Sequence, residues 1–495
     1  MRMDEFYAGR TKQRKTSFPS LGTGTSAGEV PLRRLARTPP RVLGPDVTLR
    51  ETLFLLNAEG AQAGVVAEQP DRPLGIVTLK NLLHDISLRQ ADLEDPVYAH
   101  MTGAPATLPA DASVHRARVT ITRGRLDHLV LLEPNGRIHS LLSPADLPGF
   151  REGGADELVA RISHARDVES MALAAQAARE RAATLFNDGM GVDTFFHWMS
   201  GLNDLINIRV IELIADEFDL PPVPWCWMVF GSEGRVEQGF ASDQDNGLIF
   251  QPDREEDTEI VRQAFLPFTR AVNRGLDVCG FMSCPGHIMA GNRQWCLSAA
   301  EWRGQFANWM GSPEPEAILN ATIFFDFRPL YGQDELVDEL RQWLLPQPAA
   351  HPRFLRLLAE QSLSATPALT WMGRIACDGR GAHSHTVDLK TRGTRIFVDV
   401  ARVWALQLGL FTTNTVERLR TAGPMLNRAT SDTNASLEAL NVLQRLRIQR
   451  QLAGGDSEGI NRVNPKELTA PQRMTLKEAL LQARRLQWSL QQACQ

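Results

Sequence analysis

An internal duplication constrains this chain more than any other feature of its sequence. Within residues 31–150, two segments align at one constant offset of 65 residues, so that Asp46 matches Asp111 and Val65 matches Val130. Each copy predicts an amphipathic helix, an apolar strand, a turn, a second strand and a final helix. The predicted strands are centred on residues 64–66 and 75–77 in the first copy, and on residues 129–131 and 140–142 in the second. The pattern indicates a duplicated βα unit.

A hydroxyl residue follows the second strand of each copy, with a short polar residue three positions later. The pairs are Thr78 with Asn81, and Ser143 with Asp146. A hydroxyl at a helix N-terminus can bind phosphate, and a carboxylate three residues on can accept two ribose hydroxyl bonds. Ser143 is equally a plain helix N-cap, with Pro144 at the first helical position. Both interpretations stay open.

The duplicated unit resembles a pair of cystathionine-beta-synthase (CBS) repeats. In that family the two copies pack their sheets together and can hold an adenine nucleotide between them. The resemblance implies an adenine nucleotide as regulator, contacts to it from Thr78, Ser143 and Asp146, and a homodimer formed through the repeats. The family motif is complete only in the second copy, because Asn81 stands in the first where the family has aspartate.

Charge and cysteine content limit the classes of protein that fit. Residues 1–30 lack helical or strand periodicity and predict a flexible arm, which is basic because residues 1–42 hold nine Lys and Arg against three Asp and Glu. The net charge of the whole chain is only -5, which does not favour a nucleic-acid-binding protein. Six scattered cysteines and no long apolar segment predict a cytoplasmic protein without a membrane span.

The strongest chemical signal follows an apolar strand predicted over residues 225–230. Gly231 and Ser232 come directly after it, where a glycine lets backbone N–H groups approach a triphosphate and the serine adds a hydroxyl. Asp243 and Asp245 lie at the start of the next predicted strand, so a regular strand would project both carboxylates from one side. Such carboxylates repel each other unless a cation lies between them, and Mg²⁺ takes one or two carboxylates together with substrate phosphates. An acidic turn that closes a surface hairpin is the alternative.

These residues resemble the signature of the polymerase-beta-like nucleotidyltransferase superfamily, Gly-Ser followed by Asp-x-Asp, with ten residues between Ser232 and Asp243. The run GSEGRVEQ…SDQDN is similar to nucleotidyltransferases related to the N-terminal domain of protein-PII uridylyltransferase. Some of those carry CBS repeats upstream and a helical C-terminal domain. The resemblance implies an α/β domain that binds an NTP at Gly231 and Ser232, with two Mg²⁺ ions at Asp243 and Asp245.

Superfamily members commonly use a third carboxylate on a later strand, as a metal ligand or as the base for the attacking hydroxyl. Asp326 is the candidate, in the apolar and β-prone run 322–328. A salt bridge from Asp326 to Arg328 or Arg235 is the alternative. Arg235 itself is expected to reach phosphate or to pair with Glu237.

Three weaker candidates lie elsewhere in the second half of the chain. Lys390 is a candidate phosphate contact, although the sequence favours a solvated lysine on a helix face. His383 and His385 form a pair without a third metal ligand. The cysteines of the middle region lack zinc-binding spacing and are expected to be buried thiols: Cys279, Cys284 and Cys296.

Together the patterns predict an α+β multidomain protein. We expect a basic arm over residues 1–30, a tandem CBS pair over 31–150, a nucleotidyltransferase domain with N-terminal helices over 151–335 and a helical bundle over 336–495. The expected function is Mg²⁺-dependent transfer of an NMP from an NTP to a protein or small-molecule acceptor, regulated by adenine nucleotide at the CBS pair. A non-catalytic, nucleotide-sensing signalling regulator is the alternative.

Overall fold

A computed structural model describes residues 32–35, 40–69, 72–112, 114, 116–117, 120–121, 126–147, 156–379, 384–454 and 459–493. The arm predicted over residues 1–30 lies outside the described residues, as does most of the first helix predicted for the second copy. His383 also lies outside them. Among the described residues, no helix combines the length and apolar character needed to cross a membrane.

Each copy of the duplication forms its own small sheet. The first is β1 (Val42–Leu43), β2 (Ala63–Gln69), β3 (Arg72–Thr78) and β4 (Thr102–Gly103), in that order, with helices α1 (Leu49–Ala58) and α2 (Leu79–Leu88). The second is β5 (Thr107–Pro109), β6 (Leu129–Leu132) and β7 (Ile138–Leu142), also in chain order. In both sheets a parallel pair is followed by an antiparallel one.

The strand register repeats with the sequence offset. Val42 pairs with Val65 in the first sheet, and Thr107 pairs with Val130, 65 residues further on, in the second. Val65 and Val130 are fully buried and lie in one small apolar core, to which Leu141 also contributes. The two sheets therefore pack against each other, as the duplication predicted.

Three helices connect the duplication to the larger part of the chain: α3 (Asp156–His164), α4 (Val168–Asn187) and α5 (Val192–Ala215). Helix α5 is buried along nearly its whole length, which is the pattern of a helix surrounded by other elements. It ends before the proline-rich break at residues 221–224, where proline cannot continue a helix.

The central sheet has the order β10-β9-β8-β11. Its strands are β8 (Trp225–Val229), β9 (Asn246–Phe250), β10 (Cys296–Ser298) and β11 (Arg328–Gly332), and its helices are α6 (Gly231–Gly234), α7 (Thr258–Val278), α8 (Ala299–Gly311) and α9 (Pro315–Phe324). Alternate residues of β8 enter different cores: Trp227 packs with α5 and α7, whereas Met228 packs with α8 and α9. Helices thus cover both faces of the sheet, which explains why its strands read as continuous apolar runs.

The strand predicted over residues 322–328 is wrong for all but its last residue. Residues up to Phe324 belong to α9, and β11 begins only at Arg328. Pro315 occupies the first turn of α9, and Ile318, Ala321 and Phe324 form one buried face at helical spacing. Tertiary burial of this face overrides the β preference of the run.

The remaining chain is mainly helical, as predicted. Its helices are α10 (Asp334–Leu344), α11 (Gln347–Ala350), α12 (Pro352–Ser364), α13 (Arg395–Leu408), α14 (Thr415–Met425), α15 (Thr430–Leu452) and α16 (Ala470–Ala493), with a two-stranded ribbon of β12 (Val387–Asp388) and β13 (Arg462–Val463). A π-helical turn at Lys390–Thr394 leads directly into α13. Single 3₁₀ turns lie at Leu32–Arg34, Val97–Ala99, Pro144–Asp146, Glu255–Asp257 and Arg293–Trp295.

Candidate functional site

The turn after β8 brings backbone and carboxylate into contact. Gly231 has a φ of 55°, a backbone conformation that residues other than glycine rarely adopt. A Cβ atom there would lie 2.8 Å from Oδ2 of Asp245, and the Phe230 N–H donates to the Asp245 carbonyl at 2.8 Å. The Asp245 carboxylate is therefore held directly against the Gly231-Ser232 turn, and glycine is needed for that approach.

Asp243 and Asp245 lie in the segment before β9, which begins only at Asn246. Their carboxylates come together with the thiol of Cys284: one ligand atom from each of the three lies within 4.8 Å of the others. It is the one such cluster of His, Cys, Asp and Glu side chains in the described part of the chain. The grouping of the two aspartates agrees with the prediction, whereas Cys284 was predicted only as a buried thiol.

Backbone hydrogen bonds hold the Cys284 loop beside the two aspartates. The Gln244 N–H donates to Met282 O at 2.9 Å, and the Asn246 N–H donates to Ile288 O at 3.1 Å. The Cys284 thiol lies beside the Asp245 carboxylate, within 4.8 Å of one of its oxygens. These contacts join segments some 40 residues apart, so sequence spacing carries no local signal for them.

The electrostatics of the cluster favour a cation. Burial, and next the adjacent charge of Asp243, raise the pKa of Asp245 to about 6. Lys390 and Arg235 act in the opposite direction on the same group. Two carboxylates this close are stabilised in their charged forms when a divalent cation binds between them.

A cavity of about 440 Å³ opens above these groups. One side comes from the central sheet and its turns, and the other from the π-helical turn, α13 and α15. Its lining includes Ser232, Asp243, Asp245, Cys284, Lys390 and Arg447. The sheet side is thus acidic, and the helical side is basic.

Arg447 is a partly buried guanidinium whose hydrogen-bond acceptors are neutral. Its Nε donates to Asn461 Oδ1 at 3.1 Å and its Nη1 donates to Thr394 Oγ1 at 3.2 Å. Burial lowers its pKa to about 10. Asp388 and Glu237 lie near enough to offset this lowering in part, but within the described residues neither makes a salt bridge to Arg447. A negatively charged group in the cavity would add a direct ionic partner.

Asp326 lies apart from the aspartate and cysteine cluster, in a cage of three arginines. Its Oδ2 accepts from Arg235 Nη1 at 2.8 Å and from Arg402 Nη2 at 2.7 Å, and its Oδ1 accepts from Arg418 Nη1 at 2.6 Å. Burial alone would raise the pKa of the fully buried Asp326, but the guanidinium groups hold it far below the usual range. Both oxygens are engaged, which favours the salt-bridge alternative over the expected metal ligand. Arg328 instead pairs with Asp204 at 2.6 Å.

Arg235 makes both of its predicted structural contacts. Its Nε donates to Glu237 Oε2 at 2.9 Å while Nη1 binds Asp326. The side chain also lines the cavity, so phosphate contact stays a prediction.

The candidate residues of the duplication form helix caps. Thr78 Oγ1 accepts from the Asn81 N–H at 3.1 Å at the start of α2. Asp146 Oδ2 accepts from both the N–H and the hydroxyl of Ser143 at 2.8 Å, which closes the single turn Pro144–Asp146. The N-cap interpretation is therefore realised at both places, and nucleotide binding by these three residues stays a prediction.

Glu233 is a buried carboxyl group next to Ser232 that sequence reasoning missed. It is buried in the turn that follows Gly231, and its Oε1 makes no hydrogen bond to the described protein. Burial raises its pKa to about 8, an effect that Arg328 partly offsets. Burial therefore favours the protonated form of this carboxyl group.

Three family models match the chain. Residues 32–88 match the model described as "CBS domain", residues 176–316 match "Putative nucleotidyltransferase DUF294", and residues 352–494 match "Putative nucleotidyltransferase substrate binding domain". These segments are the first copy of the duplication, the region around the Gly231-Ser232 turn and Asp243, and the C-terminal helices. The matches confirm the resemblance to CBS-containing nucleotidyltransferases.

Individual relatives resemble the duplicated segment. An uncharacterized 17.7 kDa protein of Acidianus ambivalens is 26% identical over 114 residues, which cover 23% of this chain and 68% of that protein. A CBS domain protein from Pyrobaculum aerophilum, complexed with AMP, is 26% identical over 24% of this chain and 90% of its own, with a TM-score of 0.23. A CBS-domain-containing protein from Agrobacterium tumefaciens is 28% identical over 24% of this chain and 94% of its own, with a TM-score of 0.22.

We expect Asp326→Asn to destabilise the protein strongly. Loss of the carboxylate leaves the buried Arg418 without its anion and leaves Arg402 with only Asp399, and breaking a buried ion pair in this way costs about 3–5 kcal/mol. Urea unfolding followed by tryptophan fluorescence measures the change. The matched control is Glu360→Gln, which removes an exposed helix pair with Arg356 and should leave the urea midpoint unchanged. Equal midpoints for Asp326→Asn and wild type would contradict the structural role.

We also expect Glu233→Gln to remove a pH dependence of stability. A glutamate with a pKa of 4.5 when unfolded and about 8 when folded loses stabilisation as pH rises between those values. The amide does not titrate, so the variant should gain at least about 1 kcal/mol over wild type between about pH 5 and pH 8. Urea unfolding in EDTA buffers at the two pH values measures the difference. A gap that does not grow with pH would mean that Glu233 is ionised in the folded protein.

Proposed function

We propose that this chain transfers a nucleotidyl group from an NTP to an acceptor, with Mg²⁺ as cofactor. It combines a CBS domain with a domain of the DUF294 nucleotidyltransferase family and the substrate-binding domain that accompanies that family. One observation carries the proposal. In the cavity, the carboxylates of Asp243 and Asp245, next to the Gly-Ser turn, face the basic side chains of Lys390 and Arg447. A nucleoside triphosphate with bound Mg²⁺ complements both signs of charge.

The donor set fits the cofactor. Asp243 and Asp245 would hold the Mg²⁺ ions, two in number by the family resemblance, and the metal would supply charge neutralisation and alignment of the phosphates. Backbone N–H groups of the Gly231 turn and the Ser232 hydroxyl would receive the triphosphate. Lys390 and Arg447 face the same cavity and would neutralise its outer phosphates.

The chain's own residues position the reaction. The acceptor hydroxyl oxygen forms a bond to the α-phosphorus and releases its proton to solvent, and the bond from that phosphorus to the pyrophosphate leaving group breaks. Asp326 acts indirectly, because its hydrogen bonds hold Arg235 and Arg402 at the edge of the cavity. We propose a protein or small-molecule acceptor, as for the protein-PII uridylyltransferases that the motif resembles.

The CBS pair is proposed as a regulatory site for an adenine nucleotide. The two sheets share one core, and a hydroxyl residue stands at a strand end in each, Thr78 as the last residue of β3 and Ser143 directly after β7. Binding would replace the internal Asp146 contact to Ser143 with contacts to ribose hydroxyls. A signalling role follows if the bound nucleotide changes transferase activity.

A homodimer through the CBS repeats is also proposed. Three large apolar side chains on α1 and α2 are more than half exposed: Phe54, Leu83 and Leu88. Burial of such side chains against a second copy would stabilise the pair.

We expect the wild-type protein to turn over labelled NTPs in a Mg²⁺-dependent reaction. The rate should fall at least about 100-fold in Asp243→Asn and in Asp245→Asn, because a bound metal supplies several kcal/mol of transition-state stabilisation. Incubation with cell extract, followed by pyrophosphate release and a nucleotidyl mass shift, measures transfer. The control is Asp253→Asn, an exposed aspartate after β9. Nucleotide binding without turnover in any extract would favour the non-catalytic, nucleotide-sensing regulator.

We expect calorimetry to detect AMP, ADP or ATP at the CBS pair in the full chain, with at least about tenfold weaker affinity in Asp146→Asn, since a neutral amide cannot accept two ribose hydroxyl bonds as a carboxylate does. The control is the exposed Asp127→Asn. Unchanged affinity in Asp146→Asn would remove that residue from the nucleotide site.

A further inference from the structure

We propose that Cys284 makes the metal site of this protein a binding site for a thiophilic divalent cation, Zn²⁺ above all, which competes there with Mg²⁺. The inference rests on the proposed function in one respect: it takes Asp243 and Asp245 as the metal ligands. It adds a third ligand of different chemistry, and with it a second metal.

The distances suit a shared ion. The ligand atoms of the three side chains lie within 4.8 Å of one another without metal. Zn²⁺ bonds of about 2.0 Å to oxygen and about 2.3 Å to sulfur place tetrahedral ligand atoms about 3.5 Å apart. Side-chain rotations that move each atom by less than about 1 Å close that difference, which is well within the freedom of an aspartate side chain.

The position of the thiol is fixed by the backbone and not by chance contact. Met282 and Ile288 flank Cys284, and each accepts a hydrogen bond from a residue next to the aspartates, Gln244 and Asn246. Asp243 also forms a β-bridge with Met282. Cys284 is therefore held in register with both carboxylates, and its side chain is only 7% exposed, at the wall of the cavity.

Ligand chemistry separates the two metals. Mg²⁺ takes oxygen ligands and keeps several waters, so a thiol beside it contributes little. Zn²⁺ binds thiolate strongly, and a site of two carboxylates and one thiolate leaves a fourth position open. When Zn²⁺ binds, the S–H bond of Cys284 breaks, an S–Zn bond forms, and the proton passes to the buffer.

A zinc-filled site would oppose the proposed reaction. The two aspartates would then serve one tetrahedral ion instead of the octahedral ions that bridge to phosphates. Free Zn²⁺ is thereby expected to act as a competitive inhibitor against Mg²⁺, and Cys284 is the residue that gives the enzyme this sensitivity.

Cobalt spectroscopy on the full-length protein tests the ligand directly. Co²⁺ substitutes for Zn²⁺ and gives a near-ultraviolet charge-transfer band only when thiolate is bound. We expect the band in wild type, its loss in Cys284→Ser, and its retention in Cys377→Ser, which removes an exposed thiol, and in Cys279→Ser, which removes a buried thiol outside the cluster. Wild-type protein that binds no Co²⁺, or binds it without the band, would overturn the proposal.

Affinities then test the competition. With chelator-buffered Zn²⁺, Cys284→Ser should bind at least about tenfold more weakly than wild type, the scale of loss when metal-site contacts are removed. Its Mg²⁺ affinity should change by less than about threefold, since Mg²⁺ does not use the thiol. Zn²⁺ binding to wild type should release one proton more than binding to the variant, as calorimetry in buffers of different ionisation enthalpy reports.

The outcomes distinguish the two proposals. A cobalt band and a Cys284-dependent Zn²⁺ affinity without nucleotidyl transfer would overturn the proposed function and leave the zinc site standing. Mg²⁺-dependent transfer with equal Zn²⁺ affinity in wild type and Cys284→Ser would overturn the zinc site alone.

Discussion

The buried carboxylate of Asp326 is the interaction on which the arrangement of this protein depends. Its oxygens join Arg235, in the turn after the first strand of the central sheet, to Arg402 and Arg418 of the C-terminal helices. The turn that contains Gly234 also packs directly on the backbone of Asp326, since a Cβ atom at Gly234 would lie 1.8 Å from the Asp326 carbonyl oxygen. The cavity lies between these same two parts of the chain. One anion therefore sets the distance between the acidic and the basic wall of the site.

The contrast between Asp326 and the pair Asp243 and Asp245 explains which carboxylates serve structure and which serve chemistry. Guanidinium groups satisfy both oxygens of Asp326, so its charge is compensated within the fold. The pKa of Asp245 is raised chiefly by burial and by the charge of Asp243. A bound ligand is therefore needed to balance the negative charge of Asp245. Arg447 is the complementary case, a partly buried cation that makes no salt bridge within the described residues, although Asp388 and Glu237 lie near it. A metal-bound polyphosphate would balance the negative charge of Asp245 through its metal and the positive charge of Arg447 through its phosphates.

Local patterns could be predicted from the sequence, whereas among the long-range contacts described here only the pairing of Asp326 with Arg235 was named, as an alternative. The offset between Val65 and Val130 reappears as strand register, because a duplicated sequence repeats its own pairing rules. The Gly231-Ser232 turn and the Asp243 and Asp245 pair were found because spacing along one hairpin fixes their approach. The partners of Asp326 lie 76 to 92 residues away, and those of the Cys284 loop some 40 away. Which distant arginine or thiol reaches a carboxylate is decided by packing.

Packing also limits how the duplicated segment can influence the cavity. The second copy shares one continuous core with α3, α5 and the central sheet, to which Leu131, Ile162 and Trp227 all contribute. The first copy has a separate core around Leu56 and Val77 and meets the second through the small cluster of Val65 and Val130. Close-packed cores do not deform continuously. A ligand between the copies therefore acts most readily by shifting the first copy against the second, and any effect on the cavity has to pass through the second copy and α5.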